Sequence, residues 1–302
     1  MRMKMQFILN LYFCISIFLL IGLCSVHGQA IYTKIHLGAM YYHGDLTPRT
    51  IGLSTGPARF SYGLTIGKNV TDWASINARF MKGSLKGDDR YSLDDARRAR
   101  NLNFTTPIYE YGIYTDLKVN KLLKALDKYK VRLYITAGLN LFRFNPMTTY
   151  QGKVVALQPL GTEGQTILST DNKPYSLIAI SRTIGIAVEF DFTKKISIGI
   201  EAAPRKTYTD YLDDVSGSYI NYDEMMAAGN YLGAQLSNRT GEYLGTENAR
   251  VPTGTLRGNP KQNDWYTHFG FYIKYSFGRI KISENTEIQE DKMKVVPSNQ
   301  ED

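Results

Sequence analysis

Cysteine is nearly missing from this 302-residue chain: Cys14 and Cys24 are the only two, and both stand near its start. Beyond residue 24 that excludes a disulfide framework, a cysteine-ligated metal and a thiol nucleophile. A secreted eukaryotic domain of this size would carry disulfides, so the absence favours a Gram-negative envelope protein. No Pro-, Gly- or Ser-rich linker divides the chain into halves. Catalytic motifs are absent as well. There is no G-x-S-x-G, "GLTIGK" lacks the spacing and the Ser/Thr of a phosphate loop, and no aspartate run matches a calcium loop. No enzyme, no cofactor and no small-molecule substrate is expected. Charge gives no direction either. The formal net charge is +8, and without Arg2 and Lys4 the 36 cations fall to 34 against 28 acids. That spread-out excess predicts no nucleic-acid partner.

The one long apolar run is at the start. "MRMKMQFILNLYFCISIFLLIGLCSVHGQA" places two cations before an apolar stretch that ends in small and polar residues, the layout of a secretory signal peptide over residues 1–28. Cleavage after Gly28 or Ala30 fits, and Leu23 before Cys24 argues against lipidation. At the other end "KISENTEIQEDKMKVVPSNQED" is polar and nearly free of aromatics, so residues 281–302 are expected to form a flexible periplasmic tail.

Between them, residues 29–280 repeat a period of two. Ile35, Leu37, Ala39 and Tyr41 alternate with Lys34, His36, Gly38 and Met40. Six further segments follow the same rule, and "WYTHFGFYIKYSF" closes the series with Phe269, Phe271 and Ile273 opposite His268, Gly270 and Tyr272. Eight strands are expected. One face is almost pure Ile, Leu, Phe and Tyr; the other holds Gly, Ala, Ser and Thr with a few charges of both signs. A soluble sandwich or lipocalin-like barrel would carry its charges outside, so the pattern predicts lipid contact around a narrow polar bore. The connections also alternate, at roughly 14, 22, 33 and 56 residues after odd strands and roughly 4, 12 and 3 after even ones, which is the plan of an outer-membrane barrel. The predicted fold is therefore all-β: an eight-stranded antiparallel transmembrane β-barrel with short periplasmic turns and long extracellular loops, in contact with outer-membrane lipid.

Eight strands leave no open pore, so the inward charges are expected to pair into a plug: Lys34, Arg59, Arg79, Arg132 and Arg205 with Glu110, Asp116, Glu189, Asp191 and Glu201. Arg182 falls on the apolar face and needs a place near an interface. His36 and His268 lie on neighbouring first and last strands. No carboxylate sits at ligand spacing beside either in the sequence, which favours hydrogen bonds over a metal. The turn "KVNKLLKALDKYK" carries Lys121, Lys124 and Lys128 among leucines and is expected to be a basic knob, either on inner headgroups or against a periplasmic partner.

The stretches "YYHGDL", "RARNLNF", "LQPLGTEGQ", "TDYLDDVS" and "TLRGNP" followed by Trp265 resemble the PorG-like family of envelope barrels, whose members include the outer-membrane component of type IX secretion. The resemblance runs over most of residues 31–280. It implies a barrel that contacts the periplasmic ring of a secretion machine, with neither catalysis nor cofactor. Within "TDYLDDVS", Thr209, Asp210, Tyr211, Asp213 and Asp214 are expected to knot the root of the longest outer loop through Arg205 and Lys206, with surface calcium as the alternative.

Overall fold

The computed structural model describes residues 31–47, 56–120, 131–167, 172–246 and 248–277. The expected signal peptide, the lysine turn with Lys121, Lys124 and Lys128, and the tail 281–302 lie outside the described residues.

Eight long strands form the barrel: β1 (Ile31–His43), β2 (Arg59–Asn69), β3 (Ala74–Asp88), β4 (Asn103–Lys118), β5 (Val131–Phe144), β8 (Ile178–Asp191), β9 (Ile196–Thr207) and β10 (Trp265–Ser276). A short hairpin, β6 (Met147–Tyr150) and β7 (Lys153–Ala156), stands on the β5–β8 loop, turning through Gln151 and Gly152, both at positive φ. All pairings are antiparallel. The order β3-β2-β1-β10-β9-β8-β5-β4 closes on itself through β3–β4, so no barrel strand has a free edge. Closure is what hydrocarbon requires, because each unpaired backbone group there costs several kcal/mol. Strands of 11–16 residues meet or exceed the ~9–11 that a tilted crossing needs.

The expected faces are present in the membrane-spanning part. Ile184 and Leu139 point outward at 68% and 64% exposure, as do Ile35, Ile66, Ile113, Ile198 and Phe271, whereas Lys34, His36, Thr65, Arg79, Glu189 and Glu201 are buried in the bore. No described helix is long and apolar enough to cross a membrane.

Toward the long-loop end the polarity inverts. β3, β4 and β5 run past the segments expected from sequence, and there Met81, Leu85, Phe104, Ile108, Phe142 and Phe144 turn inward to build an apolar plug with Met40, Tyr42 and Tyr266. Their neighbours Lys82, Ser84, Lys86 and Thr105 turn outward. Above the bilayer the outer face meets water and the inner face can be dry, so the binary pattern takes the soluble sense. The change of sense is marked by an outward row that runs across four strands as Tyr62, Lys82, Tyr109 and Arg143, an interfacial girdle of aromatics and cations. The uniformly polar bore expected from sequence is therefore corrected to a polar lower bore beneath an apolar upper plug.

Candidate functional site

The bore is filled by ion pairs in three tiers. Nearest the short turns, Lys34 Nζ lies 2.8 Å from Asp116, which also accepts from the Thr136 hydroxyl at 2.7 Å. In the same tier Lys274 lies 3.1 Å from Glu189, which accepts from the Tyr272 hydroxyl at 3.0 Å, and Arg132 bridges Glu189 and Asp191. At the upper end Arg205 donates to both oxygens of Glu110 at 3.1 and 3.2 Å, with Tyr266 and Tyr114 hydroxyls donating to the same carboxylate at 2.6 and 2.9 Å. Pairing with this density is what lets five cations and five acids persist in the bore.

The middle tier contains the arrangement that sequence spacing missed. Strand register sets Glu201, Gly270, Gly38 and Ser61 in one row across four strands. A Cβ on Gly38 would come within 2.8 Å of the His268 ring, so the glycine pair makes room for that imidazole to lie across the row. His268 Nδ1 meets Ser61 Oγ at 3.1 Å and its Nε2 lies 3.4 Å from Glu201 Oε1. From β1, His36 Nε2 meets Thr65 Oγ1 at 2.9 Å while its Nδ1 lies 3.0 Å from the same Oε1. Arg79 Nη1 reaches that oxygen at 3.2 Å, and its Nε donates to Thr65 Oγ1. A carboxylate does stand beside both histidines, contrary to the expectation from spacing; it comes from β9, far away in sequence.

Arg59 is also corrected. At the outer start of β2 it is exposed and donates to Ser84 at 3.4 Å, because the bore at that height is the apolar plug and offers it no acid. Arg182 is exposed on the outer face beside Lys206 and Leu139.

Over the plug sits a cap in which the outer loops interlock through the five quoted stretches. Arg100, from helix α1 (Asp95–Arg100), pairs with Asp89 at 2.7 Å and donates to the carbonyls of Asp45 and Arg257. Arg257 lies 3.0 Å from Glu163, whose carboxylate also accepts from the amides of Ser216 and Gly217 at 2.9 and 3.0 Å. Asp214, at φ +67°, accepts from the hydroxyls of Thr162 at 2.5 Å and Tyr175 at 2.6 Å. Tyr211 stacks on Tyr175 with ring centroids 4.3 Å apart, and the Thr209 carbonyl accepts from the Asp264 amide. Helices α2 (Tyr222–Ala227), α3 (Tyr231–Ser237) and α4 (Thr240–Leu244) fill the rest of the longest loop.

The expected pairing of this knot with Arg205 and Lys206 is not what holds it. Arg205 is committed to Glu110 below, and Lys206 donates to the Asn263 carbonyl at 2.6 Å. Arg257, from the far end of the same loop, and Arg100, from the β3–β4 loop, supply the cationic groups instead. The acids remain under-compensated. Burial, with the charge of nearby acids second, pushes Asp213 and Asp264 well above the usual carboxylate range, and burial lifts Asp210 to about 7 and Asp214 to about 6. Geometry agrees: the single Tyr42 hydroxyl lies 2.6 Å from Asp213 and 2.9 Å from Asp264, which satisfies both only if one acid is protonated and donates back. Among the described residues, His36, Glu201 and His268 alone bring three potential ligand atoms within 4.8 Å of one another, so the cap acids do not form such a group.

A carboxyl whose folded pKa is raised binds its proton more tightly when folded, so its contribution to stability is full below about pH 4 and is lost as pH rises through the folded value. The cap is expected to tighten at pH 5 and loosen between about pH 6 and 7, where Asp214 and Asp210 ionise. Hydrogen exchange of residues 209–217, corrected for intrinsic rates, should slow at pH 5; equal protection at pH 5 and pH 8 would refute the reading.

The family model described as "Domain of unknown function (DUF6089)" matches residues 11–238. The chain belongs to that family. The matched region holds seven of the eight barrel strands and most of the cap, leaving β10 outside. No curated protein matches. Among solved structures, Neisserial surface protein A is 10% identical, covers 83% of this chain and 100% of its own, and gives a TM-score of 0.41. Ail of Yersinia pestis is 8% identical with the same coverages and a TM-score of 0.37, and a major outer membrane protein of Thermus thermophilus is 12% identical, covers 82% and 100%, and also gives 0.37. For this DUF6089 member the barrel assignment rests on its own closed strand order.

Proposed function

We propose that this protein is an outer-membrane component of type IX secretion that works by protein contact, joining a periplasmic ring through its short turns and C-terminal residues. The observation that carries the reading is the obstructed bore: ion pairs fill it, an apolar plug closes it and interlocked loops cover it. A barrel so closed offers no path for a solute, and its surfaces are left as the working parts. The resemblance of the cap stretches to the PorG-like family supplies the secretion role, and an exterior belt of apolar side chains supports the outer membrane as its place, since open sheets and loops are not tolerated in hydrocarbon.

Deleting residues 281–302 and reversing Lys121 and Lys124, with Lys128 as a third position, should leave a folded barrel in the membrane and stop export of secreted cargo. Normal export by that variant would remove the secretion role.

A second reading, a stand-alone surface barrel for adhesion or envelope integrity, is favoured by apolar side chains displayed on the cap: Leu93, Tyr231, Leu244 and Leu256 are all more than half exposed. Under it the same deletion spares export, and replacing those four residues by serine lowers adhesion.

A further inference from the structure

We propose that His36 Nδ1, His268 Nε2 and Glu201 Oε1 form a binding site for one zinc-class divalent cation, which ties the barrel's closing seam. The site is independent of the secretion role.

Three observations carry it. The first is ligand geometry. In a tetrahedral zinc site with bonds of ~2.0–2.2 Å, ligand atoms stand ~3.3–3.5 Å apart. Here the two nitrogens lie 3.0 and 3.4 Å from the shared carboxylate oxygen, and all three atoms fall within 4.8 Å of one another. Two imidazoles and a carboxylate are a donor set that zinc accepts, with a fourth position left for water.

The second is that the two nitrogens have no well-formed partner apart from Glu201. Both histidines are fully buried, and the contacts of His36 Nδ1 and His268 Nε2 with the carboxylate oxygen, at 3.0 and 3.4 Å, fall short of good hydrogen-bond geometry. Buried polar atoms in native proteins are almost always satisfied, and a cation between them would satisfy both at once.

The third is the support behind the ligands. Each histidine is held at its opposite nitrogen by a hydroxyl, Thr65 for His36 and Ser61 for His268, and Arg79 grips both Thr65 and Glu201. Holding the far nitrogen of a ligating imidazole fixes its tautomer and its ring orientation. The facing glycines 38 and 270 keep Cβ atoms out of the space the His268 ring needs. Arg79 is the nearest opposing feature, since its Nη1 already contacts Oε1, and the charges of Lys34 and Arg205 also reach the two histidines. A cation there displaces that contact and leaves Arg79 anchored on Thr65 through Nε.

The location gives the cation a role. His36 is on β1 and His268 on β10, the first and last strands of the barrel, with Glu201 on neighbouring β9, so a bound ion would link the two strands whose pairing joins the chain's ends.

The test uses untagged full-length protein, refolded into detergent in the presence of zinc, because the closed bore gives the folded chain no entry path, and then desalted. About one zinc per chain should be retained, and zinc-edge X-ray absorption should show two imidazoles and oxygen ligands. His268→Ala and Glu201→Gln should each lower retained zinc at least ~10-fold, while His43→Ala, a histidine stacked on Trp265 outside the bore, should retain it. Should the bore variants fail to fold, the absorption spectrum of the wild type decides alone. A folded wild-type barrel that retains less than about a tenth of a zinc per chain, or one whose zinc survives His268→Ala, overturns the site and leaves the cluster as an Arg79–Glu201 ion pair flanked by neutral histidines.

Discussion

Arg205→Met is expected to destabilise the barrel by about 3–5 kcal/mol, the cost of leaving one partner of a buried ion pair without the other. The guanidinium is fully buried and donates twice to Glu110, and the carboxylate is fully buried as well. Tyr266 and Tyr114 would still donate to Glu110, but hydroxyls bring no compensating charge. Directly above lie Phe142 and the apolar plug, which offer the stranded carboxylate nothing. The double variant Arg205→Met with Glu110→Met should recover most of the loss, because an apolar pair continues the plug downward and removes the desolvation cost of both charges. Urea unfolding in vesicles, followed by the shift between folded and unfolded bands on a cold gel, measures all three proteins. A single variant as stable as the wild type would show that water or another cation reaches Glu110, and the bore would not be sealed.

The second large effect concerns the outside. Phe271 sits midway along β10, outward, with Leu37 and Ile200 opposite it on the two neighbouring strands. Phe271→Arg should cost about 2–4 kcal/mol if that position lies near the bilayer midplane, whereas Tyr109→Arg in the girdle should cost no more than about 1 kcal/mol. The contrast is diagnostic. In a water-soluble barrel both residues would be surface positions, and such changes stay within about 0.5 kcal/mol. Equal, small losses at the two sites would contradict lipid contact.

The membrane-spanning strands were legible in the sequence because lipid outside and a crowded bore inside impose opposite demands on successive residues. Ile184 and Thr183 announce their faces without any knowledge of their neighbours. The outer extensions were less legible for the same reason reversed. From Lys82 and Arg143 outward the faces exchange roles, so Phe142 and Phe144 read as the end of a pattern when they continue a strand into a different solvent. Parity alone puts Arg59 in the bore; parity gives the face but not the height, and at the height of Arg59 the inward side chains are those of the apolar plug. The histidine–carboxylate cluster was invisible to local spacing, since Glu201 and His268 meet only through the register of β9 with β10. Three signals were available in principle: inward histidines on the first and last strands, the adjacent glycines 38 and 270, and an inward acid on the strand before. The cap's five stretches lie far apart in sequence, and what joins them, Arg100 to the carbonyls of Asp45 and Arg257 and Arg257 to Glu163, is loop geometry that periodicity does not encode.

Lipid around the lower belt and water around the upper collar both follow from one inversion of polarity along the same strands. Cys14 and Cys24 both precede β1, so replacing the two by serine leaves the barrel strands untouched and lets single cysteines carrying nitroxide labels be placed on outward positions without competing thiols. In vesicles, labels at Leu139, Ile184 and Phe271 should collide often with oxygen and rarely with a water-soluble nickel chelate, while labels at Lys86 and Thr105 should show the reverse. Nickel collisions as frequent at Ile184 as at Lys86 would place the belt in water and contradict the barrel's position in the membrane.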